Sequence, residues 1–282
     1  MINKKGDKKV FDKNWTSRPE AGYLHWTREA PANQIQLAFR CHWHLFQDII
    51  AGRMSGKNVL EVGCGRGSLS AYFADHNYDC TLLDSSKSVL SMAKQIFAFH
   101  NLSASFDVGD AMNLPYDNET FDLTFSIGLL EHFKDIDQPV SEQIRVLKKG
   151  GIFIGYVVPK YDDNIQKKYQ WVNDLLKGMI EAEKETSLPE KERVYRSDED
   201  SSKYVTSLKG LGVKDIHASG VYPLPMISYS TQFPFTLLND KCEKVLVEKF
   251  QKVLDRRQEK TGQNPWLCKE GYGQAFLVWG RK

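Results

Sequence analysis

The stretch Val59-Leu60-Glu61-Val62-Gly63-Cys64-Gly65-Arg66-Gly67 decides the fold. Val59, Leu60 and Val62 are the apolar run of a parallel strand covered on both faces. Gly63, Gly65 and Gly67 then supply backbone freedom and bare N–H groups where a Cβ would block a close-approaching ligand. Ser68 to Ala74 can open the helix that follows. The spacing is G-x-G-x-G. A dinucleotide fingerprint would need glycine at Ser68, and a phosphate-binding P-loop would need Gly-Lys-Ser/Thr at the end of the turn. The local sequence therefore describes a strand-to-helix turn suited to a nucleotide-type ligand. A purely structural turn stays open at this point.

The next acidic residue sharpens that reading. Cys80-Thr81-Leu82-Leu83-Asp84 reads as a second buried strand ending in a carboxylate. Open α/β folds place an acid there, about 20 residues on, to accept hydrogen bonds from the hydroxyls of a ribose. Asp84 could instead cap the next helix, a role that Ser85 or Ser86 could also fill. Ser105–Ala111 reads as a short strand ending in Gly109-Asp110-Ala111, and Phe121–Ser126 as another, closed by Gly128-Leu129-Leu130-Glu131-His132-Phe133. Val146-Leu147-Lys148-Lys149-Gly150-Gly151 ends a helix with a glycine cap and delivers a strand at Ile152–Val158. This alternation suits βαβ units and a doubly wound, mostly parallel sheet of the α/β class.

The motifs V-L-E-V-G-C-G-R-G, L-L-D-S-S, G-D-A-M-N-L-P-Y, F-D-L-T-F-S-I-G-L-L-E-H-F and R-V-L-K-K-G-G stand in a fixed order between Asn58 and Pro159. In this they resemble the class I S-adenosylmethionine-dependent methyltransferases, especially the small-molecule, methyltransferase type 11-like branch. The resemblance implies a Rossmann-like sheet whose antiparallel last strand is Ala275–Gly280, with Ile216–Val221 as its partner. It implies S-adenosyl-L-methionine as cofactor and S-adenosyl-L-homocysteine as product. Gly63 and Gly65 would pass close to the methionyl part, and Asp84 would hold the ribose, with Ser85 flanking the adenine. Asp110 would accept from the adenine amino group while Ala111 donates to the ring, and Ser126 and Ile127 would line the sulfonium side. Glu61 would order backbone and water under the glycine loop.

Methyl transfer from a sulfonium is an in-line displacement that needs alignment, worth several kcal/mol on the order-of-magnitude scale, and no metal. An acceptor that must lose a proton also needs a base. His132 is the candidate catalytic residue, because it follows the strand ending beside the cofactor and imidazole suits proton removal near neutral pH. It could equally shape the site without reacting.

Composition narrows the partners. Lys plus Arg number 38 against 36 Asp plus Glu, a formal net charge of +2, which gives no broad pull toward nucleic acid or an anionic membrane. No apolar stretch approaches a membrane span, and the first residues lack the apolar core of a secretory signal. The 5 cysteines are scattered without C-x-x-C spacing, as expected of reduced thiols in a cytoplasmic protein rather than a zinc site.

Three additions to the core should carry acceptor identity. The expected organisation is an N-terminal helical lid or extension over 1–52, a cofactor-binding core over 53–160 and a helical insertion over 161–207. The last two strands then occupy 208–282, with a helical, aromatic insertion at about 226–270. Pro31 can start a helix with Ile35, Phe39, His42, Phe46 and Ile49 on one stripe and Gly52 as its stop. Trp15, Tyr23 and Trp26 precede it and are candidate acceptor contacts, as are Tyr156 and Tyr229, although the N-terminal rings could simply pin the extension to the core. Residues 181–202 read as a charged loop, and Asn239 or Asp240 as the start of an amphipathic helix ending near Gly262. The expected activity is methyl transfer to a small molecule by a monomer or homodimer. An RNA or protein methyltransferase, a nicotinamide-dependent oxidoreductase and a non-catalytic S-adenosylmethionine-binding protein are the alternatives.

Overall fold

The computed structural model describes residues 25–160, 178–179, 181–182, 194–225 and 239–282. Eight strands form one sheet: β1 Asn58–Val62, β2 Asp79–Asp84, β3 Ser105–Val108, β4 Phe121–Ile127, β5 Leu147–Val157, β6 Lys214–Val221, β7 Leu267–Cys268 and β8 Ala275–Arg281. Their spatial order is β3-β2-β1-β4-β5-β8-β6-β7. The first five strands pair in parallel, and β8 runs antiparallel to both β5 and β6. The expected sheet with its antiparallel last strand is therefore present. The two-residue strand β7 on the far edge is an addition, too short to leave a periodic signal.

Side-chain alternation explains why both faces are covered. On β5, Ile152, Ile154 and Tyr156 enter one apolar cluster, while Phe153 and Val157 enter another. Helix α1 (Gln34–Ile50), α2 (Ser68–Asp75) and α3 (Lys87–Phe99) cover the first face. Helix α4 (Asp137–Val146) and α5 (Ser201–Gly210) cover the second, with Val140, Ile144, Tyr204 and Leu208 buried. Ser201 and Ser202, expected within a loop, begin α5, because Asp200 accepts the Ser202 N–H and caps the helix. This helix crosses the boundary expected at residue 207 and packs on the sheet.

Helix α1 starts three residues later than its proline suggested. Asn33 caps it, accepting the N–H groups of Ile35 and Gln36, and Gly52 follows its end with φ of 68°. Helix α6 (Asp240–Thr261) runs as expected between Asn239, which accepts the Cys242 N–H, and Gly262 in the left-handed conformation. Its neighbourhood grips α1 at both ends. The Glu243 carboxylate accepts from the Gln34 backbone and side chain at 2.9 and 3.2 Å, and Asn264 donates to Asp48 at 2.6 Å.

The middle of α1 carries a fully buried histidine. Burial pushes the His42 imidazole down to about 3, so it stays neutral in the folded protein. The unfolded chain takes up a proton there below about pH 6.5. The stability this site contributes is thus lost as pH falls from about 6.5 toward 3. At pH 5 the loss is about 2 kcal/mol. His42→Phe, which keeps a ring of similar size, is expected to fold and to lose less stability between pH 7 and 5 in urea unfolding; a pH slope equal to the parent chain's would contradict this.

Candidate active site

Strand order reverses between β1 and β4, and the crevice beyond the carboxyl ends of such strands is where open α/β sheets bind ligands. The turn after β1 is hooked onto β2 by its own backbone. The N–H groups of Gly63 and Cys64 both donate to the Leu83 carbonyl, at 2.8 and 3.0 Å. Asp84 completes the anchor: one carboxylate oxygen accepts the Gly65 N–H at 3.0 Å and the other the Ser86 N–H at 2.9 Å. Gly109 N–H then donates to the Asp84 carbonyl, bringing the end of β3 alongside.

Gly63, Gly65 and Gly67 have φ of 71°, 54° and 71°, a region that side chains disfavour. A Cβ on Gly63 would stand 2.8 Å from Leu129, and one on Gly67 only 2.3 Å from Leu82. At these two positions the crowding comes from the protein's own leucines, so packing as well as ligand approach selects glycine. Beneath the loop, Glu61 accepts from the backbone and hydroxyl of Ser70, at 3.3 and 2.5 Å, tying the first turn of α2 to β1. This supplies a specific partner for the ordering role.

Access changes along the strand ends. Gly63, Asp84, Ser85 and Ile127 are half-buried and Asp110 is exposed, in a fold whose strand interiors are closed. Asp110 accepts the Met112 N–H at 2.9 Å, which fixes its carboxylate at the rim, and Ala111 is buried beside it. These residues fit an adenosyl group: a carboxylate beside the glycine turn for a ribose, and a second at the rim for an amino group. Ser126 has no exposed surface, and its hydroxyl has no partner among the described residues. Phe125, next to it, packs on Phe46 and Phe73. Ile127 is thus the accessible one of the expected pair.

The His132 ring is held by backbone on two sides. The Tyr195 carbonyl accepts from Nδ1 at 2.6 Å, a hydrogen bond to the Gly128 backbone adds to this, and Nε2 lies 4.0 Å from Glu131. Burial pushes His132 down to about 4 and the Glu131 carboxyl up to about 8. At neutral pH both are uncharged, and an imidazole of that acidity is a weak base. Burial thus weakens His132 as a base, in line with the shaping role left open for it.

The aromatic candidates divide. Trp26 is buried with its ring edge-on to Tyr72 and His100, under the Arg28 guanidinium, so it pins the extension to α2 and α3. Tyr156 is buried under α1. Trp15, Tyr23 and Tyr229 lie outside the described residues. A residue that sequence reasoning left unassigned is His25: it lies 3.1 Å through Nδ1 from the Ser68 hydroxyl, at the end of the glycine turn, and stacks on Phe39 at 5.0 Å. Its only sequence signal was membership of the aromatic stretch.

Comparison with known proteins agrees with this geometry. The family described as Methyltransferase domain matches residues 60–155. Ajmaline N-methyltransferase of Rauvolfia serpentina is 35% identical over 101 residues, covering 35% of each chain. The chloroplastic 2-methyl-6-phytyl-1,4-hydroquinone methyltransferase 1 of Oryza sativa subsp. japonica is 33% identical over 141 residues, 49% of this chain and 38% of that one. The chain therefore matches little more than a third of the length of these relatives. Among solved structures, the cyclase SpnF superposes with a TM-score of 0.52 at 20% identity, covering 98% of this chain and 94% of that one. The YcgJ protein of Bacillus subtilis gives 0.50 at 17%, covering 86% and 98%. These two likenesses concern the fold alone.

Burial raises the Glu61 carboxyl to about 8, so it is protonated in the folded protein at neutral pH. The unfolded chain ionises it above about pH 4.5, and stability from this site is therefore lost as pH rises from about 4.5 through 8. Glu61→Gln keeps an acceptor for Ser70 and removes the titration. Its melting temperature is expected to fall less than that of the parent between pH 5 and 8, and an unchanged difference would show that Glu61 is ionised in the fold.

Proposed function

We propose that this chain, whose core belongs to the class I S-adenosylmethionine-dependent methyltransferases, transfers a methyl group to a small-molecule acceptor. The observation that carries the reading is the Asp84 carboxylate, fixed between the N–H groups of Gly65 and Ser86 at the point where strand order reverses. When bound, S-adenosylmethionine supplies an electrophilic methyl on a sulfonium. The chain's task is placement. Asp84 would orient the ribose, Asp110 and Ala111 the adenine and the Gly63–Gly65 backbone the methionyl part, with Ile127 bordering the reacting end. The chemistry supplied there would be an in-line methyl transfer, the acceptor's bond to the methyl forming as the sulfur–methyl bond broke and any acceptor proton leaving to water or a nearby base.

The names of the relatives, which include a hydroquinone and an alkaloid methyltransferase, support a small-molecule acceptor. The net charge of +2 favours it over RNA. No described helix is long and apolar enough to cross a membrane. The five free thiols, three of them buried, support a reducing compartment such as the cytoplasm. The likeness to SpnF, a cyclase by name, makes turnover the decisive readout.

Calorimetric titration with S-adenosylhomocysteine, with NADH in parallel, tests the cofactor reading. Saturable binding of S-adenosylhomocysteine alone is expected, weakened roughly tenfold or more by Asp84→Ala, because a charge-assisted contact is lost. Preference for NADH would sink the reading. Binding without methyl transfer across a panel of small acceptors would leave a non-catalytic binding protein.

A further inference from the structure

One cluster of polar atoms inside the protein has no use in the cofactor site. Among the described residues, His42, fully buried in α1, has no hydrogen-bond partner on either ring nitrogen, and neither has the indole nitrogen of buried Trp266. The two rings meet edge to face at 4.6 Å, and His42 meets Tyr156 at 4.5 Å. Buried polar atoms in native proteins are nearly always satisfied, so three orphans in one contact cluster call for an occupant.

Its position is informative. His42 comes from the N-terminal addition, Tyr156 from the end of β5 where the second addition begins, and Trp266 from the third, between α6 and β7. These are the three segments whose convergence should define acceptor identity. Trp266 is firmly set: its N–H donates to Asn264 and its carbonyl accepts from Tyr222, while Arg257 holds the carbonyls of Pro265 and Leu267. The row continues toward the glycine turn. His42 packs on half-buried Phe39 at 5.6 Å, Phe39 on His25 at 5.0 Å, and His25 reaches Ser68. An aromatic wall thus leads from the cofactor turn to the orphaned nitrogens.

We propose that His42, Tyr156 and Trp266 form the inner wall of the acceptor site and receive the hydroxyl of an uncharged, ring-shaped acceptor. The inference rests on the methyltransferase reading. A neutral imidazole offers one N–H and one lone pair, and the indole a second N–H. A hydroxyl has one donor and two lone pairs, the complement of that set. An ammonium has donors only and would leave both N–H groups orphaned. A carboxylate has acceptors only, would leave the imidazole lone pair unmet, and would lose its hydration among aromatic rings. Because His42 has no exposed surface, occupancy requires Phe39 to turn aside.

The test uses the full chain labelled with 15N-histidine and saturated with S-adenosylhomocysteine. Three probes of one shape are titrated: 2-naphthol, 2-naphthoate and 2-naphthylmethylammonium. The His42 ring signals are assigned by their absence from His42→Phe. The naphthol alone is expected to shift them. Its Kd should rise roughly tenfold in His42→Phe and in Trp266→Phe, the scale of one lost buried hydrogen bond, with S-adenosylhomocysteine affinity unchanged. Three results would overturn the proposal: ring signals that respond to no probe, which means the cluster holds only water; equal naphthol affinity in parent and variants; or preference for a charged probe. Failure of S-adenosylhomocysteine to bind the parent chain would instead strike the methyltransferase reading, and this assignment with it.

Discussion

The carboxylate of Asp84 holds the molecule's working end together. It stands at the end of β2, yet its two oxygens serve the turn after β1 and the start of α3. Three glycines with left-handed φ make a turn that could take many paths. One charged acceptor, with the Leu83 carbonyl beside it, selects the path that keeps the loop on the rim of β2. Because the same carboxylate sits at the reversal of strand order, the constraint that shapes the turn also leaves a hydrogen-bonding group at the crevice. On the proposed reading, structure and ligand recognition draw on one residue, and the two readings of Asp84 open in the sequence, cap or ribose anchor, are compatible.

The parts of the fold legible in the sequence are those with local causes. β1, β2, β4 and the Ile152–Val157 part of β5 are apolar runs, and α6 is bracketed by an asparagine cap and a glycine stop, whereas Leu147–Gly151, read as a helix end, is already strand. Where two local signals competed, the side-chain acceptor won: Asn33, not Pro31, sets the start of α1. Asp200 likewise converted an expected charged loop into the first turn of α5. The candidate crevice could be placed for a similar reason, since each of its residues stands at or just past the end of one strand and strand ends can be counted along the chain.

The rest depended on distances that sequence does not contain. His42 carried a helix-stripe signal and nothing to say that both its nitrogens would be buried without partners. Trp26 and Tyr156 were candidate acceptor contacts, and no sequence signal said that the face covered by α1 and α2 would enclose both rings. The grip of Glu243 on Gln34 joins residues more than 200 positions apart. It holds α6 against the start of α1, the helix whose His42 packs on Tyr156 of β5. No periodicity reports such a contact, because it is selected by the packing of one addition on another.

Burial ties these features to the chemistry. Glu61 and Glu131 lie at the carboxyl ends of β1 and beyond β4, and burial raises both toward neutrality. Repulsion from Asp84 adds to the effect at Glu61, so the ionised carboxylate that shapes the crevice discourages a second charge beneath it. A cation brought to the crevice reverses that bias, since opposite charge favours the ionised form. A sulfonium is such a cation and the thioether left after transfer is not. Under the proposed reading, the Asp84 carboxylate would attract the charged donor more than its neutral product, without any residue that must react. In this arrangement, carboxylates anchored by backbone N–H groups give binding its direction, and the aromatic wall built from the three additions is left to choose the acceptor.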